Sequence, residues 1–194
     1  MHAIEPYYAW RSQYTAEEDE QSPFFGRSYN EFNYENRVYN YYIHPQWDDF
    51  GSETLYLKIL YADYDTGFTI IELIGEWNDC LHNDIMFLKR NVLDPMMKEG
   101  ICKFLLIGEN VLNFHGGEDD YYEEWYENTV DQKGWILFMN LHQHVFDEMC
   151  KFRIDYYVQL FPFLMNYEWR KQEPQQLYKL FESLMNKNKF IETE

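Results

Sequence analysis

Two polar clusters carry the residue types from which a site could be built. Gly75-Glu76-Trp77-Asn78-Asp79, with His82 three residues on, follows one apolar run, and Gly108-Glu109-Asn110, leading to His115-Gly116-Gly117-Glu118-Asp119-Asp120, follows another. Carboxylates and imidazoles are the donors that hold a divalent cation or orient a polar substrate. If both clusters lie on one rim of a sheet, Glu76, Asp79, Glu109 and His115 form a candidate ligand-binding set, with Gly116-Gly117 admitting close backbone approach. A plainer reading makes Asp79 a helix cap, Gly116-Gly117 a turn and His115 a surface residue. None of the spacings matches a metal motif, so no metal ligand set and no cofactor is assigned.

Other chemistries find less support. His142 and His144 are two apart, and on a helix such residues diverge, whereas chelation needs a spacing of three or four. No phosphate-binding glycine loop, GxSxG elbow or Cys-His pairing is present. The five serines, Ser12, Ser22, Ser28, Ser52 and Ser183, all avoid the ends of the apolar runs, which argues against a serine hydrolase. Glu123-Glu124 reads as solvated charge. No catalytic residue is assigned.

The elements that would position these groups follow from the apolar pattern. The runs Leu55-Tyr61, Phe68-Ile74, Cys102-Ile107, Trp135-Met139 and Ile154-Val158 read as strands. Ala62-Gly67 separates the first two as a hairpin turn. Later pairs are separated by helix-length segments, which implies parallel neighbours. Leu81 to Glu99 is the clearest helix, with Leu81, Ile85, Leu88, Val92 and Met96 on one face. Asn78 or Asp79 can cap its start and Gly100 its end, and Pro95 should kink it near Asp94. Asp119–Thr129, Leu141–Lys151 and a segment opened by Pro174 are further helices, and Phe190–Glu194 should fray. The expected fold is α/β, a mostly parallel four- to five-stranded sheet with helices.

The first 53 residues stand apart. Thirteen aromatic side chains lie between Tyr7 and Trp47, too many for a disordered tail. Residues 1–53 therefore read as an arm packed on the α/β domain of residues 54–194. Phe24-Phe25 through Tyr42 are expected to bury most of their rings on that domain or across a dimer interface. Only Glu17-Glu18-Asp19-Glu20 reads as a solvated loop, and Val38–Ile43 as an additional strand.

Charge narrows the partners. Acidic side chains number 34 against 16 basic, a formal net charge of −18. The first 53 residues hold three basic against ten acidic groups, residues 54–161 eight against nineteen, and the remainder is balanced. Such a field repels phosphate backbones and anionic lipid, so neither nucleic acid nor membrane is expected, while a basic partner or a cation is accommodated. Three scattered cysteines suggest reduced thiols and a cytoplasmic protein. The N-terminus lacks the basic and apolar regions of a secretion signal, and no run approaches the ~20 residues of a membrane span.

The order of elements resembles the STAS fold of bacterial anti-anti-sigma factors, nearer to the divergent branch that lacks a clear partner-switching role. Gly67-Phe68-Thr69-Ile70-Ile71-Glu72-Leu73-Ile74-Gly75-Glu76 looks like that branch's second strand and its exit, and Lys103-Phe104-Leu105-Leu106-Ile107 resembles the next central strand. The resemblance covers residues 54–187 and rests on order and pattern. The chain is also similar to a bacterial family without assigned function. Partner-switching members are phosphorylated on a Ser or Thr after the central strand, but the corresponding Gly108–Glu118 contains neither. The expectation is a non-catalytic STAS-like interaction or regulatory module, homodimeric through the aromatic arm. The alternative is a small-ligand-binding protein or a metal-assisted hydrolase using the acidic rim.

Overall fold

The computed structural model describes residues 4–30 and 32–191. Its centre is a five-stranded sheet in the order β3 (Leu55–Asp63), β4 (Phe68–Asn78), β5 (Lys103–His115), β6 (Trp135–Met139) and β7 (Gln159–Leu160). The first pair is antiparallel and the others are parallel. Ahead of it, β1 (Arg37–Val38) and β2 (Tyr41–Tyr42) make a separate two-stranded antiparallel sheet. The segment Val38–Ile43 is thus not one strand: Tyr39 takes a left-handed φ of 53° and folds the chain back.

The β3–β4 hairpin closes where the sequence places it, with the Asp63 carboxylate accepting from the amides of Asp65 and Thr66. The fifth apolar run is different. Ile154–Tyr156 is a 3-10 turn, and only Gln159–Leu160 pairs with the sheet. Ile154 and Val158 are buried while Asp155 and Tyr156 are exposed, a spacing of four that belongs to a helical turn.

Helices cover one face. α1 (Asp84–Leu88), a π turn (Lys89–Leu93) and α2 (Asp94–Lys98) run on continuously. The expected kink at Pro95 is taken up by this π turn, whose wider geometry moves the Asn91 carbonyl off the proline ring. Ile85, Leu88, Val92 and Met96 pack on Leu57, Ile59, Ile71 and Leu73, together with Tyr122 and Trp125 of α3 (Asp120–Asp131) and Val145 and Met149 of α4 (Gln143–Lys151).

The other face is covered by α5 (Pro174–Ile191), which contributes Leu177 and Phe181, and by Trp10 and Trp169 against Phe68, Ile70, Leu105 and Ile107. The N-terminal arm passes around the β3 edge, since Ala16 and Phe24 lie in the helix-side core. An edge strand with open backbone groups is thereby covered. On the α/β domain the arm does not bury most of its rings between Phe24 and Tyr42. Phe24 is enclosed, but Phe25, Tyr34, Tyr39 and Tyr41 are exposed and Phe32 is 91% exposed. Glu17 and Asp19 are partly enclosed, Asp19 by the hydroxyls of Tyr14 and Tyr64 at 2.8 and 2.6 Å, so that acidic run is only half solvated.

Two helix ends show contrasting chemistry. After α2, Gly100 at φ 100° lets Ile101 N–H reach the Met96 carbonyl at 3.0 Å. After α3 the same closure, Gly134 N–H to the Thr129 carbonyl at 2.9 Å, places Lys133 in the left-handed position at φ 59°. A side chain there is strained. Lys133→Gly is expected to stabilise the protein by up to about 1 kcal/mol, raising the melting temperature by roughly 2–4 °C; an unchanged or lower value in a thermal scan refutes the strain argument.

Candidate functional site

Along the arm-covered face of β4 the side chains run Phe68, Ile70, Glu72, Ile74. Phe68 and Ile70 join the α5 cluster, while Ile74 joins Val38, Ile43, Trp47 and Tyr56 beneath the β1–β2 hairpin. Glu72 sits at the seam between these clusters and is fully buried. Its Oε2 accepts the Tyr7 backbone N–H at 2.9 Å, and its Oε1 lies 3.5 Å from Asn110 Nδ2 and 3.6 Å from Arg170 Nη2. Burial pushes its carboxyl up to about 7; the Tyr7 amide opposes this, the Glu109 carboxylate adds to it and Arg170 opposes it.

The strand β5 arranges this convergence. Its pairing with β4 shifts between Glu72 and Ile74, so β5 contains one more residue there than its partner. A bulge of this kind re-aims side chains. Asn110 thereby reaches Glu72, and Glu109 shares Arg170 with it. Arg170 grips both oxygens of Glu109, with Nη1 at 2.9 Å from Oε2. Burial works to raise the Glu109 carboxyl, but the Arg170 hydrogen bonds and charge outweigh it, with help from Trp169 and Asn140, and hold it below its ordinary value. The Arg170 guanidinium lies 4.3 Å over the Trp169 ring.

Beside this network, a groove of about 380 Å³ opens beyond the carboxyl end of β6. Glu109, Asn140, His142 and Gln143 form its polar wall, and Leu141 and Met165 its apolar one. Asn140, at φ 56°, donates to the Tyr167 carbonyl at 3.0 Å and accepts the Tyr167 amide at 2.8 Å, which fixes the rim. Open α/β sheets bind ligands at this end of their strands. The groove presents a held carboxylate, amides and an imidazole, groups that recognise a small polar molecule by hydrogen bonding.

The four residues selected from sequence are not gathered at one point. Glu76 and His115 do meet, Oε1 to Nε2 at 2.9 Å, because β4 and β5 continue in parallel to Asn78 and His115. Gly108-Glu109-Asn110 is therefore mid-strand, and the loop after β5 begins only at Gly116. Asn113 of the same ribbon donates to the Tyr39 hydroxyl at 2.9 Å and ties down the hairpin turn. Asp79 is buried, accepting Trp77 Nε1 at 2.9 Å, the Ile85 amide at 2.8 Å and the Tyr122 hydroxyl at 2.7 Å. It caps the first turn of α1 from a distance. Glu109 belongs to the Arg170 network. Among the described residues no group of three or more His, Cys, Asp or Glu is placed to hold a metal ion.

His142 and His144 do not diverge. Their rings stack at 5.6 Å because His142 lies ahead of the first turn of α4, with extended backbone. His144 Nε2 sits 2.7 Å from the Leu112 carbonyl. Glu72, Arg170, Asn140 and Tyr7 escaped the sequence reading as site residues. The available signal was Glu72 itself, an acid inside the run Phe68–Ile74, where neighbours two away on the same face are Ile70 and Ile74.

No protein-family model matches the chain, and no curated protein matches it. Among solved structures, the NMR structure of the protein TM1081 is similar over 66% of this chain and 88% of that one, at 12% identity and a TM-score of 0.39. Likeness at that level assigns neither family nor function. No helix among the described residues is long and apolar enough to cross a membrane.

Proposed function

We propose that the chain is a non-catalytic, STAS-like interaction module of the bacterial cytoplasm that works through protein contacts made by its N-terminal hairpin. The exposed aromatic surface of residues 25–42 carries this reading. Phe25, Phe32, Tyr34, Tyr39 and Tyr41 face solvent, yet the segment is anchored through Val38, Ile43 and Trp47 on Tyr56 and Ile74. Rings held outward on a fixed support have the character of a recognition surface. Residues 28–42 are rich in Tyr and Asn, the mixture that paratopes use to combine rigid ring contacts with adaptable hydrogen bonds. In a molecule of charge −18, residues 25–42 are locally neutral, with Arg27 and Arg37 against Glu31 and Glu35. Two copies can therefore approach there without the repulsion that the acidic body imposes. The STAS-like part of the reading is supported by the order hairpin, helix, strand, helix, strand, helix, strand, helix.

Sedimentation velocity tests it. The wild-type chain is expected to sediment as a dimer, and Phe32→Asp with Tyr41→Asp as a monomer that keeps its circular dichroism spectrum and melts at a temperature independent of concentration. A monomeric wild type overturns the homodimer, and a dimer indifferent to both substitutions overturns its assignment to the hairpin surface.

The second reading, a small-ligand-binding protein or metal-assisted hydrolase, rests on the groove at Glu109, Asn140 and His142. It predicts a rise in melting temperature with a small polar ligand that Glu109→Gln abolishes.

A further inference from the structure

We propose that residues 4–16 form a strap that closes over the sheet when Glu72 is neutral and lifts when Glu72 is ionised. This inference is independent of the hairpin contact surface and concerns a different part of the arm.

The geometry of the cover is the starting point. The strap reaches Glu72 with a backbone group, the Tyr7 N–H, and seals the site with two rings. Tyr7 packs edgewise on Trp10 at 5.0 Å and on Trp169 at 4.8 Å, and Trp10 lies tilted against Trp169 at 5.4 Å. The strap's other ties are Trp47 Nε1 to the Ile4 carbonyl at 2.7 Å, the Tyr7 hydroxyl to the Arg170 carbonyl at 3.1 Å, Arg11 to the Gln46 side chain, Gln13 Nε2 to Glu173 at 2.6 Å and the Tyr14 hydroxyl to Asp19 at 2.8 Å, with Trp10 buried on the α5 side and Ala16 in the helix-side core. Its underside is imperfectly packed. A void of about 10 Å³ lies among Tyr7, Thr15, Glu17 and Lys58, and Thr15 Oγ1 has no hydrogen-bond partner among the described residues. Among the described residues no strap backbone group pairs with the backbone of a strand, so the strap can open without breaking the sheet's ladder.

The charges facing Glu72 decide which way it moves. From β5 come Glu109 and the Asn110 amide, from the turn before α5 comes Arg170, and from the strap comes Tyr7. Lys58 of β3 is the cross-strand partner of Glu72 in register, but its Nζ is engaged elsewhere, 3.3 Å from Asp48, 3.4 Å from Glu17 and 2.9 Å from the Tyr29 hydroxyl. One guanidinium, already gripping Glu109, therefore serves two carboxylates. When Glu72 is ionised, two anions share one half-exposed cation, and the strap keeps Glu72 itself from water. Lifting the strap hydrates Glu72 and relieves this. When Glu72 is protonated, Arg170 and Glu109 form a balanced pair and the strap closes over an uncharged seam. Since closure favours the protonated acid, raising the pH must favour opening.

Hydrogen exchange of the full chain at pH 5.5 and 8.0, corrected for the intrinsic pH dependence of exchange, measures this directly. Amides of the strap are expected to open about 30-fold more readily at pH 8.0, with no matching change in β5 and β6. Glu72→Gln keeps an acceptor for the Tyr7 amide and should remove the dependence. Glu109→Gln removes a facing anion and frees Arg170 for Glu72, so the closed state ionises more readily, and the pH dependence of opening should shrink and level off at lower pH. Strap protection that ignores pH in the wild type, or that keeps the same dependence in Glu72→Gln, overturns the proposal. So does a change shared equally by strap and sheet, which would mark global destabilisation instead.

Discussion

Asp79→Ala is expected to be the most damaging single substitution at a polar position, destabilising the protein by roughly 2–5 kcal/mol at pH 7. Three donors converge on this carboxylate, and two of them, Trp77 Nε1 and the Tyr122 hydroxyl, belong to side chains that are almost wholly enclosed. The third, the Ile85 amide, opens α1. Alanine leaves all three without an acceptor in a dry site, and each orphaned donor costs on the order of 1–3 kcal/mol, partly offset by removal of a buried charge. Burial pushes the Asp79 carboxyl up to about 6, against the hydrogen bonds from Tyr122, Ile85 and Trp77. The folded protein therefore binds a proton that the unfolded chain has already released, and wild-type stability falls as pH rises from about 4 to 6. The loss caused by alanine should accordingly be larger at pH 5 than at pH 8. Asp79→Asn keeps one acceptor oxygen and should lose less. Urea denaturation at the two pH values decides: an alanine variant as stable as wild type at both would remove Asp79 from the role of organiser of this core.

Glu72→Gln should move stability the other way. At pH 8 the variant is expected to exceed wild type by about 3 kcal/mol, and the advantage should shrink to under about 1 kcal/mol near pH 5 and vanish below about pH 4. The sign follows from a folded-state value, about 7, that lies above the ordinary 4.5. Below 4.5 both states are protonated and nothing is lost. Between these values the folded state retains a proton, so wild-type stability declines as pH rises and levels off above pH 8. Glutamine retains the shape and an acceptor for Tyr7 without the charge. Glu109 and Glu124 act oppositely. Their carboxyls are held below the ordinary value, Glu124 mainly by Arg90, so their stabilisation is present above 4.5 and lost as pH falls beneath it. Wild-type stability should therefore peak on the acid side of neutrality. Equal stability of Glu72→Gln and wild type at pH 8 would contradict the burial of an ionised Glu72.

Much of this architecture was legible in the residue pattern because it rests on local periodicity. The β3–β4 hairpin, the π-kinked helix with its Gly100 stop, and α4 and α5 follow from apolar spacing, turn residues and proline. The strand expected at Ile154–Val158 failed because five residues do not separate a strand from a short turn by composition. The extent of β5 was hidden for another reason. Beyond Ile107 the polar residues Glu109, Asn110, Asn113 and His115 interrupt Val111, Leu112 and Phe114 without a strand's alternation, and pairing with β4 keeps Asn110–His115 extended. The candidate site was less legible still. The partners of Glu72 are Tyr7 and Arg170, which no spacing rule connects, and Glu109 sits on a bulge that sequence does not reveal. Similarly, aromatic density indicated an arm that packs, but the rings of residues 25–41 are held outward by contacts made through Val38, Ile43 and Trp47.

The pairing irregularities around β4 bear on how the sheet is assembled. A strand that slips by two residues keeps its faces correct, which makes this the least penalised error in a regular sheet. Here β3 carries a surplus residue against β4 between Ile59 and Tyr61, and β5 carries two, opposite Glu72–Ile74 and Gly75–Glu76. Any slip displaces these irregularities and turns part of the strand inside out. At the β3 edge Gly75 adds a steric stop, since a β-carbon there would lie 2.1 Å from the Thr54 carbonyl oxygen. β4 is thus indexed along both edges, and misaligned pairings are rejected from either side.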